Sequence, residues 1–286
     1  MSPDGDKNLK SVFDPKVPNV ARVYDYMLGG RDNFEADREL AAQPMENAPA
    51  SAWIARQNRA FLARTVRYCS EHGIRQFLDV GSGLPTTDNV HEVAQRISAD
   101  TRVVYVDNDP VAVAHARALL AKSPGVVAIE ADLRRPQEVL ERARSAGHLD
   151  FSRPVAVLVA AIMHFIPDSE DPARILRTFT DATAPGSYLV LSQATQDAQP
   201  EEAGRATAIY RNASSPLVTR TRDEIVPLFG GLPLVDPGLV YTVQWRPDRT
   251  SPGPPEAAGL YAGVACKPPA SGETRHDARM PGELTD

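Results

Sequence analysis

The sequence has few cysteines, no long apolar run and no excess of positive charge. Only two of the 286 residues are cysteines, Cys69 and Cys266, and they lack the paired spacing of a zinc site or a redox motif. No stretch of about 18 apolar residues occurs, and the first residues lack the apolar core of a signal peptide. The formal net charge of -6 disfavours a surface that binds phosphates. These absences predict a cytoplasmic protein with no metal site, no nucleic-acid partner and no membrane partner.

The sequence contains a polar N-terminal segment, a helical part and a long alternation of predicted strands and helices. The polar residues 1–16, which include Pro and Gly, predict a flexible arm. Residues 17–73 carry helical patterns and predict an N-terminal helical cap. Residues 74–268 predict the main domain, with an inserted helical segment near 195–230. The last stretch, 269–286, predicts a disordered tail.

Local signals predict two short helices at the start of the cap. Asn19 is suited to cap the first helix, and Gly29 is suited to end it in a left-handed conformation. Asp32 and Glu35 form an Asp-x-x-Glu variant of the capping box for a second helix, which we expect to stop before Pro44. The glycines of "LGGRD" are then suited to act as a hinge.

The main domain alternates apolar runs with helical stretches. Five such runs come first, namely "RQFLDVGSG", "RVVYVDND", "VVAIEAD", "PVAVLVAAI" and "SYLVLSQ". Two more strand-like runs follow near the end, "LVYTVQW" and "LYAGVAC". Apolar runs separated by helices are typical of a parallel sheet covered on both faces. We therefore predict an α/β fold of the doubly wound, Rossmann-like class, with a mostly parallel sheet of seven strands.

A glycine-rich turn follows the first strand. Gly81 and Gly83 in "FLDVGSGLP" allow the backbone to approach a ligand at the start of the next helix. The dinucleotide fingerprint G-x-G-x-x-G is incomplete, because Thr86 occupies the third glycine position. The P-loop is also disfavoured, because "GLPTTDN" has no lysine.

Three acidic residues complete the pattern around this turn. Asp79 begins a D-x-G-x-G motif with the two glycines, Asp107 ends the second strand, and Asp132 follows the third. This series resembles the class I S-adenosylmethionine (SAM) methyltransferases. The resemblance extends to "AAIMHFIPD" and to "APGSYLVLS", where Ser187 replaces the second glycine that is usual in that superfamily.

A closer resemblance covers nearly the whole chain. The runs "PNVARVYDYMLGGRDNFEADRE", "QFLDVGSGLPTTDNVHEVAQ", "VVYVDNDPVAVAHARALL" and "GSYLVLSQAT" are similar to a bacterial family of SAM-dependent methyltransferases of largely uncharacterised substrate. The resemblance implies SAM as the cofactor and S-adenosylhomocysteine (SAH) as the product. It also implies cofactor contacts from Asp79, Gly81, Ser82, Gly83, Thr86, Asp107, Asn108, Asp132, Leu133, Ala160 and Ala161.

The resemblance further implies a role for each carboxylate. Asp107 is expected to accept hydrogen bonds from both ribose hydroxyls, since two carboxylate oxygens suit a vicinal diol. Asp132 and the backbone of Leu133 are expected to contact the adenine edge, although Asp132 could instead cap the next helix. Asp79 is expected to order the glycine turn or to bind the amino group of the methionyl part.

The segment after the fourth strand contains the candidate catalytic residue, His164. It lies at the carboxyl edge of the sheet, and its ordinary pKa suits a base, although it could also pack or shape the pocket. "AAIMHFIPD" lacks the Asn/Asp-Pro-Pro-Tyr/Phe run of many enzymes that methylate nucleic-acid bases, which favours a small-molecule acceptor. Arg205, Arg211, Arg220 and Arg222 could contact an acidic acceptor or form a solvated face.

The cap is expected to cover the cofactor and to help build the acceptor pocket. Tyr24 or Tyr26 is predicted to lie near the cofactor, where an aromatic face favours a sulfonium cation. Arg31, Asp32 and Asn33 are predicted to line the closing edge. Packing by Tyr24 and helix capping by Asp32 are the structural alternatives.

The sequence supports one leading function and two others. The leading hypothesis is transfer of the methyl group of SAM to a small-molecule acceptor by in-line displacement, in which alignment and exclusion of water supply much of the rate. The alternative is a SAM-binding regulatory or scaffold protein without transfer activity. A nicotinamide-dependent oxidoreductase comes third.

Overall fold

A seven-stranded sheet lies at the centre of the part of the chain that the structure describes. The computed structural model describes residues 14–47, 51–120, 123–146, 148–197, 199–213, 215–249 and 253–269. In these residues the strands are β1 (Gln76–Val80), β2 (Arg102–Asp107), β3 (Val126–Glu130), β4 (Ala156–Ala160), β5 (Tyr188–Ala194), β6 (Val240–Tyr241) and β7 (Leu260–Cys266). The α-helices are α1 (Val20–Met27), α2 (Glu35–Asn47), α3 (Ser51–Glu71), α4 (Val90–Gln95), α5 (Pro110–Leu120), α6 (Pro136–Ser145), α7 (Pro172–Ala182), α8 (Pro200–Ile209) and α9 (Arg222–Ile225).

The strand order is β3-β2-β1-β4-β5-β7-β6, which confirms the predicted doubly wound class. The first five strands pair in parallel, and β7 runs antiparallel to both β5 and β6. From β1 the chain adds β2 and β3 on one side and then returns to add β4 on the other. This reversal opens a crevice at the carboxyl ends of β1 and β4, where ligands bind in open α/β sheets.

Helices cover both faces of the sheet, so its inner strands are buried along nearly their whole length. Every residue of β1 is buried, as expected for a central parallel strand. Phe77 packs into the core on one face, whereas Leu78 packs into the core on the other. Asp79, the single acidic residue of β1, lies one residue before the end of the strand, where the crevice opens.

The N-terminal helices lie over the carboxyl edge of the sheet. Asn19 caps α1 by accepting a hydrogen bond from Ala21 N at 2.8 Å, and Gly29 follows the helix with a φ of +86°, so both predicted signals are confirmed. An apolar cluster joins this part of the chain to later segments; it contains Val23, Met27, Leu40, Ala41, Ala55, Phe165, Tyr210 and Leu217. The cap is therefore packed against the main domain.

The predicted capping of α2 is wrong in two respects. The helix begins at Glu35, and Asp37 provides its N-terminal cap interaction by accepting from Phe34 N at 2.8 Å. The Asp32 carboxylate instead lies 3.3 Å from His115 Nδ1. The helix also continues past Pro44, since a proline removes only one hydrogen bond and the preceding turn is held by buried apolar residues.

The predicted strand "LVYTVQW" is much shorter than expected. Only Val240–Tyr241 pair with β7, and residues 242–244 form a turn of 3₁₀-helix. The carbonyl oxygens of Thr242 and Trp245 accept hydrogen bonds from buried Arg64, at 2.7 and 2.9 Å. The hydrogen bonds from Arg64 of α3 thus take the place of further pairing with β7.

Some predictions concern residues that the structure does not describe. Of the expected arm, residues 1–13 lie outside the described residues, as do residues 270–286 of the expected tail. The segment near 195–230 contains α8 and α9. Within the described ranges, no helix combines the length and apolarity needed to cross a membrane.

A buried ion cluster fixes the cap on the sheet. Arg22 Nε lies 3.2 Å from Asp37 Oδ2 and 3.5 Å from Asp109 Oδ2, and these three side chains are at most 3% exposed. Arg22 Nη2 also donates to Val17 O at 2.9 Å. Since Arg22 lies on α1, Asp37 on α2 and Asp109 before α5, one guanidinium joins both short helices to the main domain.

Replacement of Arg22 tests the importance of this cluster. We expect Arg22→Met to lower the free energy of unfolding by about 3–5 kcal/mol, because two buried carboxylates lose their cation. Arg38→Met is the matched control, since Arg38 is exposed on α2 and should change stability by no more than about 0.5 kcal/mol. Urea denaturation of both variants measures the difference. Equal stability of the two variants would contradict the assigned role.

Candidate active site

One cavity of about 470 Å³ opens at the carboxyl edge of the sheet. Its floor comes from the ends of β1, β2, β4 and β5, and its cover comes from α1, α3 and α8. Cavities of this size are typical of small-molecule and cofactor sites. The predicted site residues that line it are Tyr24, Asp79, Gly81, Ser82, Gly83, Asp107, Asn108, Asp132, Leu133, Ala160, Ala161 and His164.

The glycine turn after β1 is closely packed on one side and open on the other. The N–H groups of Gly81 and Ser82 both donate to Val106 O, at 2.8 and 3.0 Å. A Cβ atom on Gly81 would lie 2.5 Å from Ile162 Cγ1, whereas one on Gly83 would have no neighbour within 4 Å. Both glycines have positive φ values, of +73° and +65°. Gly81 is thus required by packing, and Gly83 leaves room beside the cavity.

Asp107 is held in place by backbone donors. Its Oδ2 accepts from Gly83 N and its Oδ1 accepts from Asp109 N, both at 2.8 Å. Burial raises the pKa of Asp107 to about 6, so the group is mainly ionised at neutral pH. Each carboxylate oxygen keeps capacity for a further hydrogen bond. Asp109 separately caps α5 by accepting from Val111 N at 2.8 Å.

Asp79 is a buried carboxylate without a hydrogen-bond partner among the described residues. It is 4% exposed, and burial raises its pKa to about 7, with Arg59 acting in the opposite direction. Arg59 lines the same cavity from α3 and donates to the carbonyl oxygens of Thr87 and Asp88 at 3.4 and 3.3 Å. Together these two residues offer a negative and a positive group to a zwitterionic ligand.

Asp132 orders the loop after β3 and lines the cavity. Its Oδ1 accepts from Arg134 N at 2.9 Å, which is the local turn interaction expected of a capping residue. The Arg134 side chain, not anticipated from the sequence, donates to Glu170 Oε2 at 2.6 Å and to Phe165 O at 3.2 Å. It also reaches Ser215 Oγ at 3.3 Å. Arg134 thus joins three loops around one end of the cavity.

His164 is buried and electrically neutral. Burial and the neighbouring Arg220 lower the pKa of His164 to about 3, so its ring is not charged at neutral pH. Ala194 N donates to Nδ1 at 3.4 Å, which assigns the ring proton to Nε2. A ring of this pKa is a weak base, and the geometry favours a role in shaping the cavity.

Arg220 is a structural residue, so the interpretation of the four arginines as one solvated face is wrong for it. It is 3% exposed and donates to Asp168 Oδ1 and Ile166 O, both at 2.7 Å, and to Met163 O at 3.1 Å. These contacts fix the loop that carries His164. Arg205 lines the cavity edge and is exposed.

Tyr24 lies in the cavity wall and belongs to a chain of hydrogen bonds. Its hydroxyl donates to Ala55 O and accepts from Asn58 Nδ2, both at 3.0 Å. Asn58 Oδ1 in turn accepts from Ser192 Oγ at 2.6 Å, and Ser192 Oγ accepts from Ala161 N at 2.8 Å. The chain links the cap to the ends of β4 and β5.

The other predicted cap residues do not line the cavity; these are Tyr26, Arg31, Asp32 and Asn33. Their loop is held by Asp25, whose Oδ2 accepts from Asn33 Nδ2 at 2.8 Å and from Asp32 N at 3.1 Å. A Cβ atom on Gly30 would overlap the Asp25 carboxylate. The second glycine of "LGGRD" therefore lets this loop fold onto Asp25.

Thr86 also lies outside the cavity wall. Its N–H donates to Asn89 Oδ1 at 3.0 Å. Asn89 and Glu92 form the capping box of α4, with Asn89 as the N-cap. Asp88 pairs with Arg96 at 2.6 Å.

Asn58 and Arg59 could not be assigned to the site from the sequence, because they lie on the helical cap, far in sequence from the glycine motif. One signal was present for Asn58. It is four residues from both Ile54 and Leu62, so it is a polar residue on the apolar stripe of α3. For Arg59 and Arg134 no local pattern distinguishes them from surface arginines. Among the described residues no cluster of His, Cys, Asp or Glu is arranged to hold a metal ion.

Known proteins are similar to this chain in both sequence and fold. A family model described as S-adenosyl methyltransferase matches residues 6–268. The chain belongs to this family of methyltransferases.

Two crystal structures of related proteins agree with the family. A DUF574 family protein of Streptomyces avermitilis is 40% identical, with coverage of 89% of this chain and 99% of the other and a TM-score of 0.86. A protein of Thermobifida fusca classed as a methyltransferase is 42% identical, with coverage of 88% and 96% and a TM-score of 0.84. Among curated proteins, none matches this chain.

The family assignment confirms the predicted enzyme class and cofactor. The methyltransferase uses SAM as its methyl donor and forms SAH. Its doubly wound sheet, with the antiparallel β7 between β5 and β6, is the predicted class I fold.

The raised pKa of Asp79 predicts how SAM binding by the methyltransferase depends on pH. If Asp79 binds the ammonium group of SAM, that group stabilises the ionised carboxylate, so binding to the protonated form releases a proton and the affinity falls as the pH falls through about 7. We expect the Kd for SAM to rise roughly tenfold between about pH 7.5 and pH 5.5. Isothermal titration calorimetry measures the change. Asp79→Asn should bind more weakly at pH 7.5 and show a flatter profile; an equally steep profile in that variant would contradict the assignment.

Proposed function

We propose that this methyltransferase methylates a small organic molecule inside the cavity. The observation that carries the proposal is that one cavity of about 470 Å³ has a polar half at the ends of β1, β2 and β3 and an apolar half beneath α1 and α8. The polar half suits the cofactor, and the apolar half suits an acceptor. A cavity covered by helices favours a small molecule over a macromolecule.

The charged groups of the polar half match the methionyl part of SAM. Asp79 is buried and has no hydrogen-bond partner among the described residues, so a ligand's ammonium group would supply the missing hydrogen-bond donors. Arg59, close enough to influence the pKa of Asp79, would bind the carboxylate. Gly83 leaves open space for the ligand beside the turn.

The remaining cofactor residues match its adenosine part. Asp107 has a free lone pair on each oxygen after binding two backbone N–H groups, as a ribose diol requires. Asp132 and the backbone of Leu133 would contact the adenine, with Asn108 and the alanines 160 and 161 completing the wall. These residues would hold the adenosine part at the ends of β2, β3 and β4.

The chain contributes to the reaction chiefly by alignment and exclusion of water. When bound, the cofactor supplies a methyl group on a cationic sulfur. Tyr24, fixed by Asn58 and Ala55, presents an aromatic side chain in the cavity wall, where it would favour that cation. The apolar side chains of the cap would exclude water from the reacting atoms. His164, with its pKa near 3, is assigned to shaping the acceptor half.

Ligand-induced stabilisation tests the assignment of the polar half. At a concentration about 100 times its Kd, either SAM or SAH should raise the free energy of unfolding by about 2.7 kcal/mol, measured by thermal denaturation. Asp107→Asn should raise the Kd for both ligands roughly ten- to hundredfold, because a charged hydrogen bond is lost. Asp100→Asn is the control at an exposed site. Unchanged affinity in Asp107→Asn would refute its assigned role.

Product analysis tests the acceptor class. The enzyme is incubated with SAM carrying an isotopically labelled methyl group and a mixture of small metabolites, and products are followed by mass spectrometry. We expect a labelled small molecule and release of SAH. Labelling of added RNA, DNA or protein instead, with no labelled metabolite, would overturn the proposal. Saturable SAM binding with no labelled product of any kind would favour the regulatory alternative.

A further inference from the structure

The apolar half of the cavity has an aromatic wall. Phe165 and Tyr210 lie with their ring centroids 5.7 Å apart and their planes inclined by 42°. Met27 from α1 and Leu217 from the loop before α9 belong to the same buried cluster and also line the cavity. Aromatic side chains in a cavity wall favour an aromatic ligand, because rings attract one another in offset-stacked and edge-to-face arrangements.

The hydroxyl group of Tyr210 has no hydrogen-bond partner among the described residues. The side chain is 8% exposed and lines the cavity. Burial raises the pKa of Tyr210, and no hydrogen bond or charge modifies that effect. Buried phenol hydroxyls are normally hydrogen-bonded, so a hydroxyl without a partner in a ligand cavity points to a ligand atom as the partner.

The interior of this half carries no net charge. His164 is neutral at physiological pH because its pKa is lowered to about 3. Four charged residues line the cavity near this half: Arg205 and Glu256 are exposed, Glu202 is partly exposed, and Arg134 is paired with Glu170 at 2.6 Å. Burying a charged ligand group among the apolar side chains would therefore leave it without a counter-charge, at a large cost in free energy.

From these three observations we infer that the acceptor is a neutral, planar aromatic molecule that carries an oxygen hydrogen-bonded to Tyr210 Oη. This inference rests on the proposed function, since it assigns the apolar half of the cavity to the acceptor. Phe165 provides a face against which the aromatic ring packs. Tyr210 is a positioning residue in this arrangement, because it sets how deeply the ring enters.

Binding to the SAH-loaded enzyme tests the inference. The probes are naphthol, naphthalene, which lacks the oxygen, and naphthoate, which is charged. Ligand-observed NMR titration gives each Kd in the wild type, in Tyr210→Phe and in the control Tyr241→Phe, whose residue lies outside the cavity wall. We expect naphthol to bind more tightly than naphthoate. Tyr210→Phe should weaken naphthol binding roughly three- to tenfold and leave naphthalene binding and SAH affinity unchanged.

Three outcomes of the binding experiment would overturn the inference. The first is no naphthol binding to enzyme that has bound SAH, and the second is naphthoate binding at least as tight as naphthol. The third is a loss of SAH affinity in Tyr210→Phe with naphthol binding unchanged, which would assign Tyr210 to the cofactor. A labelled product from an aliphatic or charged metabolite would also overturn it while leaving the proposed function intact. If no metabolite is labelled and macromolecules are, the proposed function itself fails.

Discussion

Arg22 holds two buried carboxylates together, and the position of the helical cap over the sheet depends on that contact. Asp37 belongs to α2 and Asp109 precedes α5, so the guanidinium joins the cap to the turn after β2. The main-chain N–H of Asp109 in turn binds Asp107, which binds the N–H of Gly83. A continuous series of contacts therefore runs from the cap to the glycine turn, and displacement of α1 would disturb the polar half of the cavity.

A second buried connection between the cap and the sheet runs through one amide side chain. Asn58 contacts Tyr24 of the cap with its nitrogen and Ser192 of β5 with its oxygen. Ser192 also accepts from the N–H of Ala161, whose φ of +55° is unfavourable for a residue with a side chain. The cap is thus connected to both halves of the cavity by buried polar contacts, and it forms a wall of the site rather than an appendage to the domain.

The fold and the polar half of the site could be predicted because their signals are local. Buried parallel strands need continuous apolar runs, and a carboxylate such as Asp107 at a strand end lies at the crevice by topology alone. Asn58, Arg134 and Tyr210 could not be assigned, because only tertiary packing brings their side chains to the cavity. The continuation of α2 past Pro44 was unpredictable for the same reason, since tertiary packing outweighs the tendency of proline to end a helix.

Asp107 has a consequence for the entropy of binding. Both of its oxygens are already held by backbone N–H groups, so its rotamer is fixed when the chain folds. A diol that binds there does not have to immobilise the side chain, whose loss of rotational freedom would otherwise oppose association by about 0.5–1.5 kcal/mol. The carboxylate is thus already ordered when the two turns have folded, before any ligand binds.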